Sequence, residues 1–199
     1  MNTLKSIKPF LQNVLAVLSN SLNVEAAIID REFDLVTCTS DYLQKKGTEV
    51  HIPSVQKVFE QGEMVVSKPG KMPSCKGCRF QNKCPASLEI LNCIKLDNDP
   101  IGIISLSVFN HSDDENKPQS YKCFEQPLIE TSKLISNYAK HELTLKKMDL
   151  YKSMLKQSME LCQDGMLLVN KHGLILDHNQ NAQILLNKAK LKGRNLDQF

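Results

Sequence analysis

The sequence predicts an α+β protein with one central antiparallel sheet, and three observations carry that expectation. An amphipathic helical pattern opens the chain. Short β-prone runs then flank a helix-like stretch. A long hairpin follows, in which LEILNCIKL and IGIISLSVF are joined by Asp97-Asn98-Asp99-Pro100. With 199 residues the chain is long enough to bury a real core.

Taken in order, Leu11, Val14, Leu15 and Leu18 recur at helical spacing with Gln12, Asn13, Ser19 and Asn20 between them. No small-x-small cleavage site follows, so this opening reads as a retained amphipathic helix and not a signal peptide. EAAIID and LVTCT are two short strands separated by the turn-like Arg31 to Asp34. His51 to Gln61 is helix-like, with Val55, Val58 and Phe59 on one side. MVVSKP makes a third strand, stopped by Pro69-Gly70. In the hairpin's second strand, Ile104, Leu106 and Val108 alternate with Ser105 and Ser107, which predicts one buried face and one open face.

HSDDENKPQS, residues 111 to 120, reads as a loop. From about Ser120 to Cys162 there is no glycine, and only Pro127 interrupts near the start. Leu134, Tyr138, Leu145, Met148, Leu155, Met159 and Cys162 follow alternating three- and four-residue steps, broken at His141 and Lys152. A run longer than a small domain can cover suits pairing with a second copy, so a homodimer through helix 120–162 is expected. After Asp164-Gly165 come a strand, a tight Lys171-His172-Gly173 turn, a second strand and a helix with Ala182, Ile184, Leu185 and Leu186. Two strands and a helix cannot close a core. The expected organisation is therefore a sensory-type domain at 1–119, a connecting helix at 120–162 and the opening of a further domain, cut short, at 163–199.

Charge and motifs narrow the function. A net charge of +3 is too mild to imply a nucleic-acid surface. The longest apolar run, around IGIISLSVF, is far too short to span a bilayer. No phosphate-binding loop, G-x-S-x-G or G-x-G-x-x-G occurs, so no enzymatic activity is expected of these residues. The seven cysteines are an odd number in a chain without a secretion signal. That points to reduced thiols and a cytoplasmic location in place of a disulfide framework.

Four of the thiols fall within nineteen residues, in GKMPSCKGCRFQNKCPASLEILNCIK. Cys75, Cys78, Cys84 and Cys93 have the spacing C-x2-C-x5-C-x8-C, enough ligands for a tetrahedral zinc ion or a 4Fe–4S cluster. Cys75 and Cys78 form a chelating pair, Cys84-Pro85 offers a third sulfur, and Cys93 in a strand would anchor the loop. Lys76, Arg79 and Lys83 would favour thiolate. Zinc sites usually pair two C-x2-C knuckles or one knuckle with histidines, and no histidine lies nearby in sequence. The single knuckle is unlike that zinc pattern and leaves iron–sulfur and zinc both open, with Cys93 equally open to reading as a buried strand residue. Cys38, Cys123 and Cys162 read as packing residues.

The C-x2-C-x5-C portion resembles the cluster-binding run of the fumarate-and-nitrate-reduction type of oxygen sensor and of WhiB-like proteins. The order of segments is similar to the N-terminal half of sigma-54-dependent transcriptional activators of anaerobic Firmicutes. Cys84-Pro85, Glu89, Cys93 and Ile101-Gly102-Ile103 carry that likeness. The stretch from Gly165, with Leu174 to Asn179 and Gly193-Arg194-Asn195-Leu196, looks like the opening of a PAS domain. The resemblance implies a GAF/PAS-like sensory domain that reads redox or oxygen through Cys75, Cys78, Cys84 and Cys93. It also implies partners beyond these residues, namely sigma-54 RNA polymerase and DNA. The rival expectations are a zinc loop on a small-molecule-sensing domain, the front end of a histidine kinase, and a thiol redox enzyme using Cys75 and Cys78.

Overall fold

The computed structural model describes residues 3–109, 122–188 and 190–198. The chain forms two compact units, Met1–Leu143 and Thr144–Phe199. The predicted loop at 111–120, and residues 120 and 121 of the predicted helix, lie outside the described residues.

In the first unit a short helix, α1 (Thr3–Ser6), precedes α2 (Lys8–Leu22). Pro9 stands in the first turn of α2, where its missing N–H costs nothing. Strands β1 (Glu25–Asp30) and β2 (Leu35–Cys38) follow, then helices α3 (Ser40–Lys46) and α4 (Ile52–Gln61), then β3 (Glu63–Val66). The hairpin is β4 (Leu88–Leu96) and β5 (Asp99–Val108). Its turn is tighter than the four predicted residues. Asp97 and Asn98 alone make it, with φ of 48° and 76°, a two-residue turn of left-handed backbone that asparagine and aspartate tolerate. The five strands run in the order β2-β1-β5-β4-β3, each antiparallel to its neighbours, as the α+β reading predicts.

Helix α3 was not anticipated. Its markers are local: Thr39 in extended backbone before it, Lys45 and Lys46 in the last turn, and Gly47 at φ 68° after it.

Both faces of the sheet are covered. On one, Ala26, Ile28, Ile90, Ile104 and Leu106 pack beneath Leu11, Leu15 and Leu18 of α2. Phe124, Leu128, Ile135 and Ala139 join them from the long helix α5 (Lys122–Leu161), and Phe10 stacks on Tyr138 with ring centroids 3.7 Å apart. On the other face, Ile29, Leu91, Cys93 and Ile103 pack with Val55 and Val58 of α4. The expected open face is therefore closed: Ser105 and Ser107 are fully buried, because α3, α4 and the cysteine loop cover the side they point to. Alternation of serine with aliphatic residues marked the two faces correctly but not their exposure.

Helix α5 also packs differently from its predicted stripe. The side facing the first unit's core is Phe124, Leu128, Ile135 and Ala139, whereas Leu134, Leu145, Met148 and Leu155 of the stripe are exposed and Met159 is buried. No described helix is long and apolar enough to cross a membrane.

Gly102 fixes how closely α1 approaches the sheet. A Cβ there would strike Leu4 Cδ1 and lie 2.6 Å from the Ile29 carbonyl oxygen, which is held in the β1–β5 ladder. Gly102→Ala is expected to cost about 2 kcal/mol as an overpacked core site. The check is a lowered midpoint in urea unfolding with an unchanged slope; a midpoint equal to wild type would show that α1 moves aside freely.

The second unit contains β6 (Leu167–Val169), β7 (Ile175–His178) and α6 (Gln180–Leu185). The turn expected at Gly193–Leu196 falls earlier, at 191–194, closed by Arg194 N–H donating to the Leu191 carbonyl at 3.1 Å, and the segment Gly193–Asn195 that follows runs along β7. It pairs with the free edge of β7, Gly193 and Ile175 donating to the carbonyls of Ile175 and Arg194. Ile175, Ala182 and Leu191 form its buried cluster, while Leu168, Leu176, Ile184 and Leu185 are exposed.

Candidate functional site

A pocket of about 80 Å³ opens on the α3–α4 side of the first unit's sheet. That is several times the ~10–15 Å³ that one water needs. Ile29, Val66, Glu89 and Leu91 floor it from β1, β3 and β4. Tyr42 and Lys46 come from α3, and His51, Ser54 and Val55 from the entry to α4. The remaining side is the cysteine loop, through Gly70, Cys75, Cys78, Phe80 and Cys84.

The loop is a string of tight turns. Cys78 N–H donates to the Cys75 carbonyl (3.0 Å), Gln81 N–H to the Cys78 carbonyl (2.9 Å) and Lys83 N–H to the Phe80 carbonyl (3.0 Å). Gly70 closes it, its carbonyl accepting from Asn82 N–H at 2.8 Å. It has φ +83°, and a Cβ there would lie 3.0 Å from the Phe80 carbonyl oxygen and 3.2 Å from Cys84 Cβ, so only glycine fits comfortably.

Two sulfurs receive backbone N–H donors: Gly70 N–H reaches Cys75 Sγ at 3.2 Å and Phe80 N–H reaches Cys78 Sγ at 3.5 Å. Cys75, Cys78 and Cys84 all line the pocket, a position that suits a thiophilic centre.

Cys93 is placed differently. It shares a strand face with Glu89 and Leu91, but it lies further along β4 and is only 6% exposed. Its sulfur packs in the cluster of Val55, Val58 and Ile103 and has the Ile94 carbonyl as a weak acceptor at 3.9 Å. Burial pushes its thiol above the ordinary cysteine range. The structure brings three of the four sequence-proposed ligands to one pocket and leaves the fourth outside its lining. Among the described residues, no group of three or more His, Cys, Asp and Glu side chains is already arranged to hold a metal ion.

The electrostatics differ from the sequence expectation. Arg79 is bound to Glu49 at 3.0 Å and lies over the Phe80 ring. The cation acting on Cys84 is Lys46, whose effect with that of the Ala86 N–H opposes a larger upward push from burial, so that the Cys84 thiol is raised. Lys46 is itself paired with Glu89 at 2.7 Å, both side chains largely buried. Burial also raises the Tyr42 hydroxyl well above the tyrosine range, and the phenol stays neutral.

A histidine does stand near the thiols, which sequence distance had hidden. His51 lines the pocket, and its Nε2 is 3.1 Å from the carbonyl of Ser74, the residue before Cys75. Ser54 Oγ donates to the same carbonyl at 2.8 Å. Of the isolated cysteines, Cys38 ends β2 and packs partly with Ala27 and Tyr42, Cys162 is half-buried, and Cys123 is exposed.

No family model and no curated protein matches the chain. Solved structures do. The chain is similar to the GAF domain of A. aeolicus nlh2, at a TM-score of 0.54 and 18% identity over 68% of this chain and 85% of that one. It is similar to the GAF domain/HD domain protein of Geobacter sulfurreducens, at 0.53 and 10% identity over 68% of this chain and 93% of that one. It also matches the E. coli DhaR(N)–DhaL complex structure, at 0.56 and 12% identity over 100% of this chain and 72% of that one. The antiparallel sheet with its covering helices is thus a GAF-type fold.

Proposed function

We propose that this chain is the sensory region of a bacterial sigma-54-dependent transcriptional regulator, reading redox or oxygen through a cysteine-ligated 4Fe–4S centre in the first unit's pocket. The observation that supports it is that Cys75, Cys78 and Cys84 all line one pocket over the sheet. The bound cluster would supply the redox or oxygen sensitivity. The chain's own part is to hold it: Gly70 clamps the loop, and Lys46 offsets negative charge beside Cys84. Gain or loss of the centre biases the loop against α3 and α4, the two-state element a sensor requires.

The remaining assignments belong to the same reading. Leu134, Leu145, Met148 and Leu155 are exposed and keep their three- and four-residue register, which supports self-pairing through helix 120–162. Sigma-54 RNA polymerase and DNA would be engaged by segments beyond these residues, in the cytoplasm, and the chain itself would not be an enzyme.

One observation favours a second reading. A histidine beside three thiols is a donor set that zinc accepts, and zinc would make the loop a structural staple. The experiment is anaerobic purification with iron, sulfide and zinc counted per chain. The expected result is about four iron and four sulfide with a broad band near ~400 nm that bleaches in air. One zinc and no colour would replace the redox sensor by the staple. Metal-free protein after reconstitution would overturn both.

A further inference from the structure

We infer that His51, and not Cys93, completes the metal centre, giving a site of three thiolates and one imidazole from Cys75, Cys78, Cys84 and His51. The inference rests on reading this pocket as a metal site, and it holds whether the centre is zinc or iron–sulfur.

The placement of the imidazole is the first argument. His51 lines the same pocket as the three thiols and contacts the backbone one residue before Cys75. Its hydrogen bond is the second. With a carbonyl as partner, Nε2 must carry the proton, and the lone pair then resides on Nδ1. Metal-ligating histidines are typically oriented in this way, the far ring nitrogen donating to a carbonyl or carboxylate. Ser54 Oγ, bonded to the same carbonyl, holds that acceptor in position.

Cys93 fails on both counts. Its backbone is fixed inside the sheet, opposite Ile103 on β5 and with its N–H on the Gly62 carbonyl at 2.7 Å. Its sulfur lies outside the pocket lining. Ionising it in place would bury a charge among Val58, Leu91 and Ile103. His51 stands just ahead of α4, with φ −82° and ψ 89°, where backbone adjustment disturbs no ladder. Among the described residues these four side chains are not already arranged around one point, so binding an ion would require the cysteine loop and His51 to adjust.

The test uses the full chain, made metal-free under anaerobic conditions and titrated with Zn²⁺ and with Co²⁺ as a spectroscopic probe. Wild type, His51→Ala, His51→Cys and Cys93→Val are compared, with far-UV circular dichroism as the control for folding. Cys93→Val is expected to bind like wild type. His51→Ala should bind at least ~10-fold more weakly, the lower end of what losing even an outer-shell partner costs. His51→Cys should recover binding with a stronger sulfur-to-cobalt absorption. Wild-type affinity in His51→Ala, or loss of metal from a folded Cys93→Val, overturns the inference and leaves the metal centre standing. A wild-type chain that binds neither ion and assembles no iron–sulfur cluster on anaerobic reconstitution overturns the metal reading itself.

Discussion

Glu89→Ala is expected to destabilise the first unit by about 3–5 kcal/mol, because it leaves a lysine charge buried with no counter-ion. Glu89 Oε2 lies 2.7 Å from Lys46 Nζ, with the two side chains only 16% and 10% exposed. Its other oxygen accepts from Ser105 Oγ at 3.1 Å, so the substitution also orphans a fully buried hydroxyl. A surface pair would be worth less than about 1 kcal/mol. The double variant Lys46→Met/Glu89→Leu removes both charges and fills the space, and should recover most of the loss. Urea midpoints of Lys46→Met, Glu89→Leu and the double variant close the cycle. Single variants within about 1 kcal/mol of wild type would mean that water screens the pair after all. The site has its own readout. Glu89 pushes the Cys84 thiol up and Lys46 pulls it down, so losing Glu89 alone should lower its pKa. Alkylation of Cys84 at fixed pH below the usual cysteine range should accelerate, measured well below the unfolding midpoint.

The same pair shows what the sequence could and could not convey. Glu89, Leu91 and Cys93 alternate onto one face of β4, and the Asp97-Asn98-Asp99-Pro100 turn signalled the hairpin that sets its register. Parity does not say which element lies over each position along the strand. Cys93 falls under Val55 and Val58 of α4, and Glu89 falls at the pocket. The C-x2-C-x5-C spacing is local, and it led to Cys75, Cys78 and Cys84 directly. His51 and Lys46 lie 24 and 29 residues before Cys75 and reach it only through the packing of α3 and α4, which no short-range pattern records. The two serines of β5 misled for a related reason. A small polar side chain reads as solvent-facing, yet Ser105 is satisfied internally by Glu89. On α5 the heptad-like stripe was legible, but its packed side was set by α2 and the sheet, and much of the stripe was left exposed.

In the second unit, Asn179→Ala is expected to cost roughly 3 kcal/mol, from several buried backbone groups losing their partners at about 1–3 kcal/mol each. Asn179 is 1% exposed and stands before α6 in extended backbone. Its Oδ1 accepts from Ala182 N–H at 3.0 Å, an ordinary N-cap, and also from Met166 N–H at 2.8 Å. Its Nδ2 donates to the Met159 carbonyl at 2.9 Å and the Asp164 carbonyl at 2.8 Å, groups in the last turn of α5 and just beyond it. One side chain therefore caps the start of α6 and the end of α5 together. Asn181 adds a second tie, its Nδ2 2.9 Å from the carbonyls of Cys162 and Gln163. The decisive comparison is Asn179→Asp. Aspartate is as good an N-cap as asparagine, so a residue serving only α6 would tolerate it. Here the new carboxylate would face two carbonyl oxygens at a helix C-terminus, where negative charge is unfavourable. Asn179→Asp should therefore be destabilised about as much as Asn179→Ala, with amide exchange in the full chain accelerating across residues 164–186. Wild-type protection in the aspartate variant would reduce Asn179 to a simple cap of α6.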